Sequence, residues 1–116
     1  MNKNRLFECV YEDQRKILND PGKALRLFSL VIKYEEYLKN KKKLAARTIQ
    51  KHSGAIFEFD ILKMLLKVKW VNIIDKDLEI YRLVLVQLKY NYEEIKRRIF
   101  YIKSFVDYCR RNKIEF

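Results

Sequence analysis

Few side chains in this chain have the chemistry for covalent catalysis, and their spacing argues against it. His52 stands alone, with no acid or thiol beside it to complete a nucleophile–base–orienter set. It reads as a surface or helix-edge histidine, with a place near a phosphate as its functional alternative. Glu35-Glu36 and Glu93-Glu94 are adjacent pairs. On a helix neighbours diverge by about 100°, so these acids are expected to solvate and cap helices rather than share a proton. One histidine and two cysteines exclude most zinc sites and any disulfide framework. Cys9 and Cys109 read as small buried apolar residues. With Gly22 and Gly54 as the only glycines, neither a phosphate-cradling loop nor a dinucleotide fingerprint can be written. The eight tyrosines fall mostly at helical core spacing, and none is marked out as a nucleophile. No catalytic residue, cofactor or metal is expected.

What remains is charge, and its distribution is uneven. Lys and Arg number 26 against 15 Asp and Glu in 116 residues, a formal charge of +11. Residues 1–22 and 73–90 are each balanced, whereas the excess collects in 23–72 and 91–116. Between Lys39 and Lys51 there are six bases (Lys39, Lys41, Lys42, Lys43, Arg47 and Lys51) and no acid. Lys96-Arg97-Arg98 forms a second cluster. Both clusters fall at helix beginnings, where free N–H groups and the helix dipole favour phosphate. A merely solvated lysine-rich face is the bland alternative.

The elements that position these residues are helices. Apolar residues make up 49% of the chain, enough to build a core and to argue against intrinsic disorder. Two glycines and one proline are too few for the turns of a many-stranded sandwich or barrel. Apolar residues spaced by three and four predict a helix over 4–18, from Leu6, Phe7, Val10, Tyr11, Ile17 and Leu18. A second, over 21–39, follows Asp20-Pro21 and carries Leu27, Val31, Tyr34 and Leu38, with Leu25, Phe28 and Ile32 widening its apolar stripe. A third runs from Ala45 or Ala46 to about Lys69. On it Arg47, Gln50, Lys51 and Gly54 share a side opposite the core, and Ser53-Gly54-Ala55 forms a thin patch suited to close helix packing or, less commonly, to the approach of a nucleic-acid backbone. Residues 70–74 read as an extended connector, with Trp70 as a core plug. Asp75 is the expected N-cap of a helix over 76–90, and Asn91 with Glu94 opens the last one. The expectation is an all-α, compact bundle of about five helices. Residues 1–22 are an N-terminal helical extension and 23–116 a helical DNA-binding unit, the two packed together. No secretory h-region or bilayer-length apolar run is present, so a cytoplasmic protein without membrane contact is expected.

From Phe28 to Phe116 the chain resembles the core-binding domain of the tyrosine recombinases, the phage-integrase family. The resemblance rests on Tyr34-Glu35-Glu36-Tyr37-Leu38, then a basic spacer, then Leu44-Ala45-Ala46-Arg47-Thr48-Ile49 with Phe57-Glu58-Phe59. It ends on Ile95 to Arg98 leading to Phe105-Val106-Asp107-Tyr108-Cys109. Ala45 departs from the capping serine common in the family. The resemblance implies a domain that clamps one side of duplex DNA while a separate C-terminal catalytic domain holds the other. Recombinase protomers would then assemble on the DNA. It places DNA contacts at Lys43, Arg47, Thr48, Lys51 and His52, and at Lys96, Arg97 and Lys103. No catalytic role carries over, because the family's chemistry lies in that other domain. Two further readings stay open: a basic helical RNA-binding subunit of a ribonucleoprotein, and a helical protein-interaction module.

Overall fold

The computed structural model describes residues 21–115, and within them the protein is all-α. The expected helix over 4–18, with Cys9, lies outside the described residues. Helix α1 (Pro21–Asn40) buries Leu27, Leu30, Val31, Tyr34 and Leu38, a stripe repeating at three and four residues. Leu25, Phe28 and Ile32 do not widen that stripe; all three are exposed. At 100° per residue they lie about 100–160° around the helix from Leu27, on a second face.

Helix α2 (Ala46–Leu66) packs against α1 and the two helices that follow. Its inward positions are Ile49, Ala55, Ile56 and Phe59, together with polar His52, Ser53, Asp60 and Lys63. The expected extended connector is instead a 3-10 turn, Trp70–Asn72. It closes because the Asn72 N–H donates to the Lys69 carbonyl at 2.9 Å and the Ile73 N–H to the Trp70 carbonyl. From outside, the Arg110 guanidinium donates to the carbonyls of Val71 (3.0 Å) and Ile73 (2.6 Å).

Helix α3 (Asp75–Gln87) buries Leu78, Tyr81 and Leu85, with Leu88 following at its end. Its cap is not Asp75, which is already helical. The carboxylate of Asp77, one turn in, accepts from the Ile74 N–H at 3.0 Å. Helix α4 (Tyr92–Arg111) starts as expected, with Asn91 Oδ1 accepting from the Glu94 N–H at 2.9 Å. It buries Ile95, Ile102, Phe105, Val106 and Cys109 and exposes Lys96, Lys103, Asp107, Arg110 and Arg111. The four helices share one core, and Trp70 plugs it with no exposure at all. None of the described helices is long and apolar enough to cross a membrane.

Glycine scarcity is met by lysine. Lys43, in the connector between α1 and α2, and Lys67, Lys89 and Lys113, each just beyond a helix end, adopt left-handed backbone angles with φ of 57°, 57°, 68° and 52°. After α3 the Tyr90 N–H reaches back to the Leu85 carbonyl and the Lys89 N–H to Val86. After α4 Ile114 and Lys113 repeat the pattern on Cys109 and Arg110. These are Schellman closures that usually employ glycine. A side chain there costs about 1–2 kcal/mol, offset in part by a cation beside the negative helix end. Lys89→Gly and Lys113→Gly are therefore expected to raise stability by about 0.5–1 kcal/mol each. Urea unfolding midpoints check this; a lowered midpoint in both would show that the lysine charge outweighs the strain.

Candidate nucleic-acid interface

The start of α2 is built without a side-chain cap. Ala45 is extended (φ −69°, ψ 151°) and has no hydroxyl or carboxylate to offer. The first backbone bond of the helix runs from the Ile49 N–H to the Ala45 carbonyl at 3.0 Å. The N–H groups of Ala46, Arg47 and Thr48 thus have no partner within the helix. No acid occupies the first turn. Lys41, Lys42 and Lys43 lie exposed just before it, and Arg47 and Lys51 lie exposed along it. Among the described residues the ion pairs engage Lys69, Arg82, Arg97 and Arg98, and none engages these five cations. The exposed side of α2 is as the periodicity predicts, with Gly54 open: a Cβ added there would meet nothing within 4 Å. The Ser53-Gly54-Ala55 patch is accordingly not a close-packing surface. Ser53 turns inward and donates to Glu35 at 2.8 Å, and Ala55 is buried.

His52 is not a surface residue. It is 4% exposed, because it lies three residues from Ile49 and four from Ile56 and so shares their inward stripe. Its ring packs 4.1 Å from that of Tyr101 and 6.2 Å from Tyr34, centroid to centroid. Burial holds its pKa below the usual histidine value, so the imidazole is neutral at pH 7. Its Nδ1 has no hydrogen-bond partner. Thr48 is half-buried one turn earlier.

The α4 candidates separate into exposed and structural cations. Lys96 and Lys103 are exposed, Lys96 lying 5.9 Å from the Tyr92 ring centroid. Arg97 makes only a surface pair with Glu94 at 3.4 Å. Arg98 belongs to the interior edge: it reaches Glu58 and Glu94, each at 3.0 Å, and stacks 4.4 Å from the Tyr90 ring centroid. Glu58 is the hub of this network, since it also accepts from the hydroxyls of Tyr81 (2.6 Å) and Tyr90 (3.1 Å). Glu58 carries no mark of this role in the sequence beyond an acid set between Phe57 and Phe59, with a second acid, Asp60, close behind.

Two grooves organise the candidates. One, of about 720 Å³, lies among α1, α2 and α4; Thr48, His52, Lys42, Ser104 and Arg111 line it. The other, of about 520 Å³, lies between α3 and α4 and holds Lys96 and Lys103. Phe100, 60% exposed, borders both. Lys43, Arg47, Lys51 and Arg97 line neither groove and stand on the open surface.

Burial shifts two further ionisable groups among the described residues. Cys109 has no exposure, and burial pushes its thiol up to about 12. The Asp60 carboxyl is pushed up to about 6 by burial, with Lys63 pulling the other way. No family model matches the chain, and neither curated proteins nor solved structures yield a match.

The split within Lys96-Arg97-Arg98 has a measurable consequence. Glu58→Gln deprives Arg98 of one of its two carboxylate partners and weakens the acceptor shared by the Tyr81 and Tyr90 hydroxyls, and is expected to cost about 2 kcal/mol, whereas Arg97→Gln should stay within about 0.5 kcal/mol. Urea unfolding of the two variants checks this, and equal losses would contradict the assigned roles.

Proposed function

We propose that this chain is a duplex-DNA-binding domain, similar in role to the core-binding domain of a tyrosine recombinase. On this reading it works in the cytoplasm, joined to a catalytic domain that performs the strand chemistry and beside other recombinase protomers on the DNA. The observation that carries the proposal is the start of α2. Three backbone N–H groups without helical partners lie beside exposed Lys41, Lys42, Lys43, Arg47 and Lys51, with no acid nearby in sequence. A solubilising face gains nothing from leaving a helix N-terminus uncapped and ringed by cations; the dipole there repels positive charge. An arriving phosphate relieves both costs at once, since it accepts from the N–H groups and neutralises the cations. Lys96, Arg97 and Lys103 supply a second exposed set on α4. Lys and Arg here would hold phosphates, and Thr48 would fix the register.

The test separates a located surface from net charge. Replacing Arg47 and Lys51 with Ala is expected to weaken duplex binding by about tenfold or more, as loss of two phosphate contacts implies. Replacing Lys76 and Lys89, exposed cations towards either end of the charge-balanced stretch 73–90, removes the same charge and should weaken binding by less than about threefold. Fluorescence anisotropy on a labelled duplex at one salt concentration reads both, with circular dichroism confirming the folds. Equal losses would reduce the interface to bulk charge. Tighter binding to an RNA hairpin than to DNA would favour the ribonucleoprotein reading.

A further inference from the structure

The duplex-binding surface at the start of α2 leaves unused the groove behind it, whose construction is unlike that of a phosphate-only surface. Its inner wall carries the rings of Tyr34, His52 and Tyr101, and its rim carries Tyr37 and the exposed Phe100. Its volume, about 720 Å³, lies within the range of roughly 300–1,000 Å³ usual for small-ligand sites. Lys42 and Thr48 line it, so the partnerless N–H groups of the first α2 turn adjoin it. Arg111 stands on the rim over Tyr37, 5.7 Å from the ring centroid and 3.2 Å from its hydroxyl, against a single carboxylate, Asp107. Within this wall stands the His52 imidazole, a polar ring among the tyrosines, whose Nδ1 is itself buried and has no partner. Flat aromatic faces, a wall bearing an imidazole and two hydroxyls, and a cationic mouth at a helix N-terminus together match one ligand chemistry.

The geometry points to a site for a single unpaired nucleotide: its base enters the groove against Phe100 and Tyr37 and offers its polar edge to His52, while its phosphate stays at Lys42 and the start of α2. This rests on the DNA-binding reading and extends it, because the duplex would be held outside the groove and only an extrahelical base would enter. Aromatic faces accept any base, since every base has a π surface; the neutral His52 ring and the hydroxyls of Thr48 and Ser104 are the groups available to discriminate among base edges.

The test compares two labelled duplexes, one perfectly paired and one carrying a single unpaired thymidine. The full chain is expected to bind the bulged duplex about tenfold more tightly, the order expected of one stacked base. Phe100→Ala, an exposed position whose truncation spares the core, should abolish that preference and leave affinity for the perfect duplex within about twofold. Competition by millimolar thymidine monophosphate for the bulged duplex would support the site and open it to free nucleotides. A Phe100-dependent preference without such competition would support it as a site for a base still in its strand. Equal affinity of the full chain for both duplexes, or a preference that survives Phe100→Ala, would overturn the proposal while leaving duplex binding intact. Failure to bind either duplex is a different result and removes the DNA-binding reading with it.

Discussion

Five aromatic rings in unbroken contact hold this domain together. Tyr34 of α1 meets Phe105 of α4 at 4.9 Å, Phe105 meets Trp70 at 4.8 Å, Trp70 meets Phe59 of α2 at 5.5 Å, and Phe59 meets Tyr81 of α3 at 5.0 Å. Each of the four helices and the 3-10 turn contributes one ring, and all five are almost fully buried. Three of the four pairs are edge-to-face and Phe59–Trp70 is tilted, and aromatic pairs of this kind add about 0.5–1.5 kcal/mol each beyond the area they bury. More important is what they fix. With Tyr34 and Phe105 locked, α1 and α4 hold a set separation, and the groove containing His52 and Thr48 opens between them. With Tyr81 locked, its hydroxyl is delivered to Glu58, and Glu58 in turn fixes Arg98.

That arrangement divides the cations by task. Arg98 and Arg110 are spent on structure, one on Glu58 and the other on the carbonyls that shape the 3-10 turn. Lys67, Lys89 and Lys113 close helix ends in left-handed geometry, with their ammonium groups left to solvent. Among the described residues, Lys41, Lys42, Lys43, Arg47 and Lys51 around the start of α2 stay exposed and outside the ion pairs, as do Lys96 and Lys103 on α4. A formal charge of +11 therefore overstates the surface available to a polyanion and says nothing of its place.

Much of the fold was legible because helical periodicity is a strong signal. The inward stripe of α1, the Asn91 cap of α4 and the buried Trp70 and Cys109 all follow from spacing and residue type. The misses have physical causes. Leu25, Phe28 and Ile32 are apolar but sit on a different face, which a count of apolar residues blurs and an angle does not. The cap of α3 moved from Asp75 to Asp77, because a carboxylate one turn inside the helix can reach back to the first free N–H as well as one in front of it. Trp70 to Asn72 carries a β-branched residue yet forms a 3-10 turn, since long-range donation from Arg110 stabilises it. For the candidate site, the exposure of Arg47 and Lys51 was legible from their phase relative to Ile49. The burial of His52 could be read from the same phase but was hidden by its polarity. The Glu58 network joins residues up to 40 positions apart, and no local pattern announces it.

Counterion release measures directly the proposed binding of duplex phosphates by the located cations and free N–H groups at the start of α2. With about five phosphates neutralised, log K should fall against log salt with a slope near −4.5, from roughly −0.9 per contact. Titration of the full chain with a short duplex at four or five salt concentrations gives the slope. A value close to that would match the exposed cations of this surface; a flat response would contradict the account.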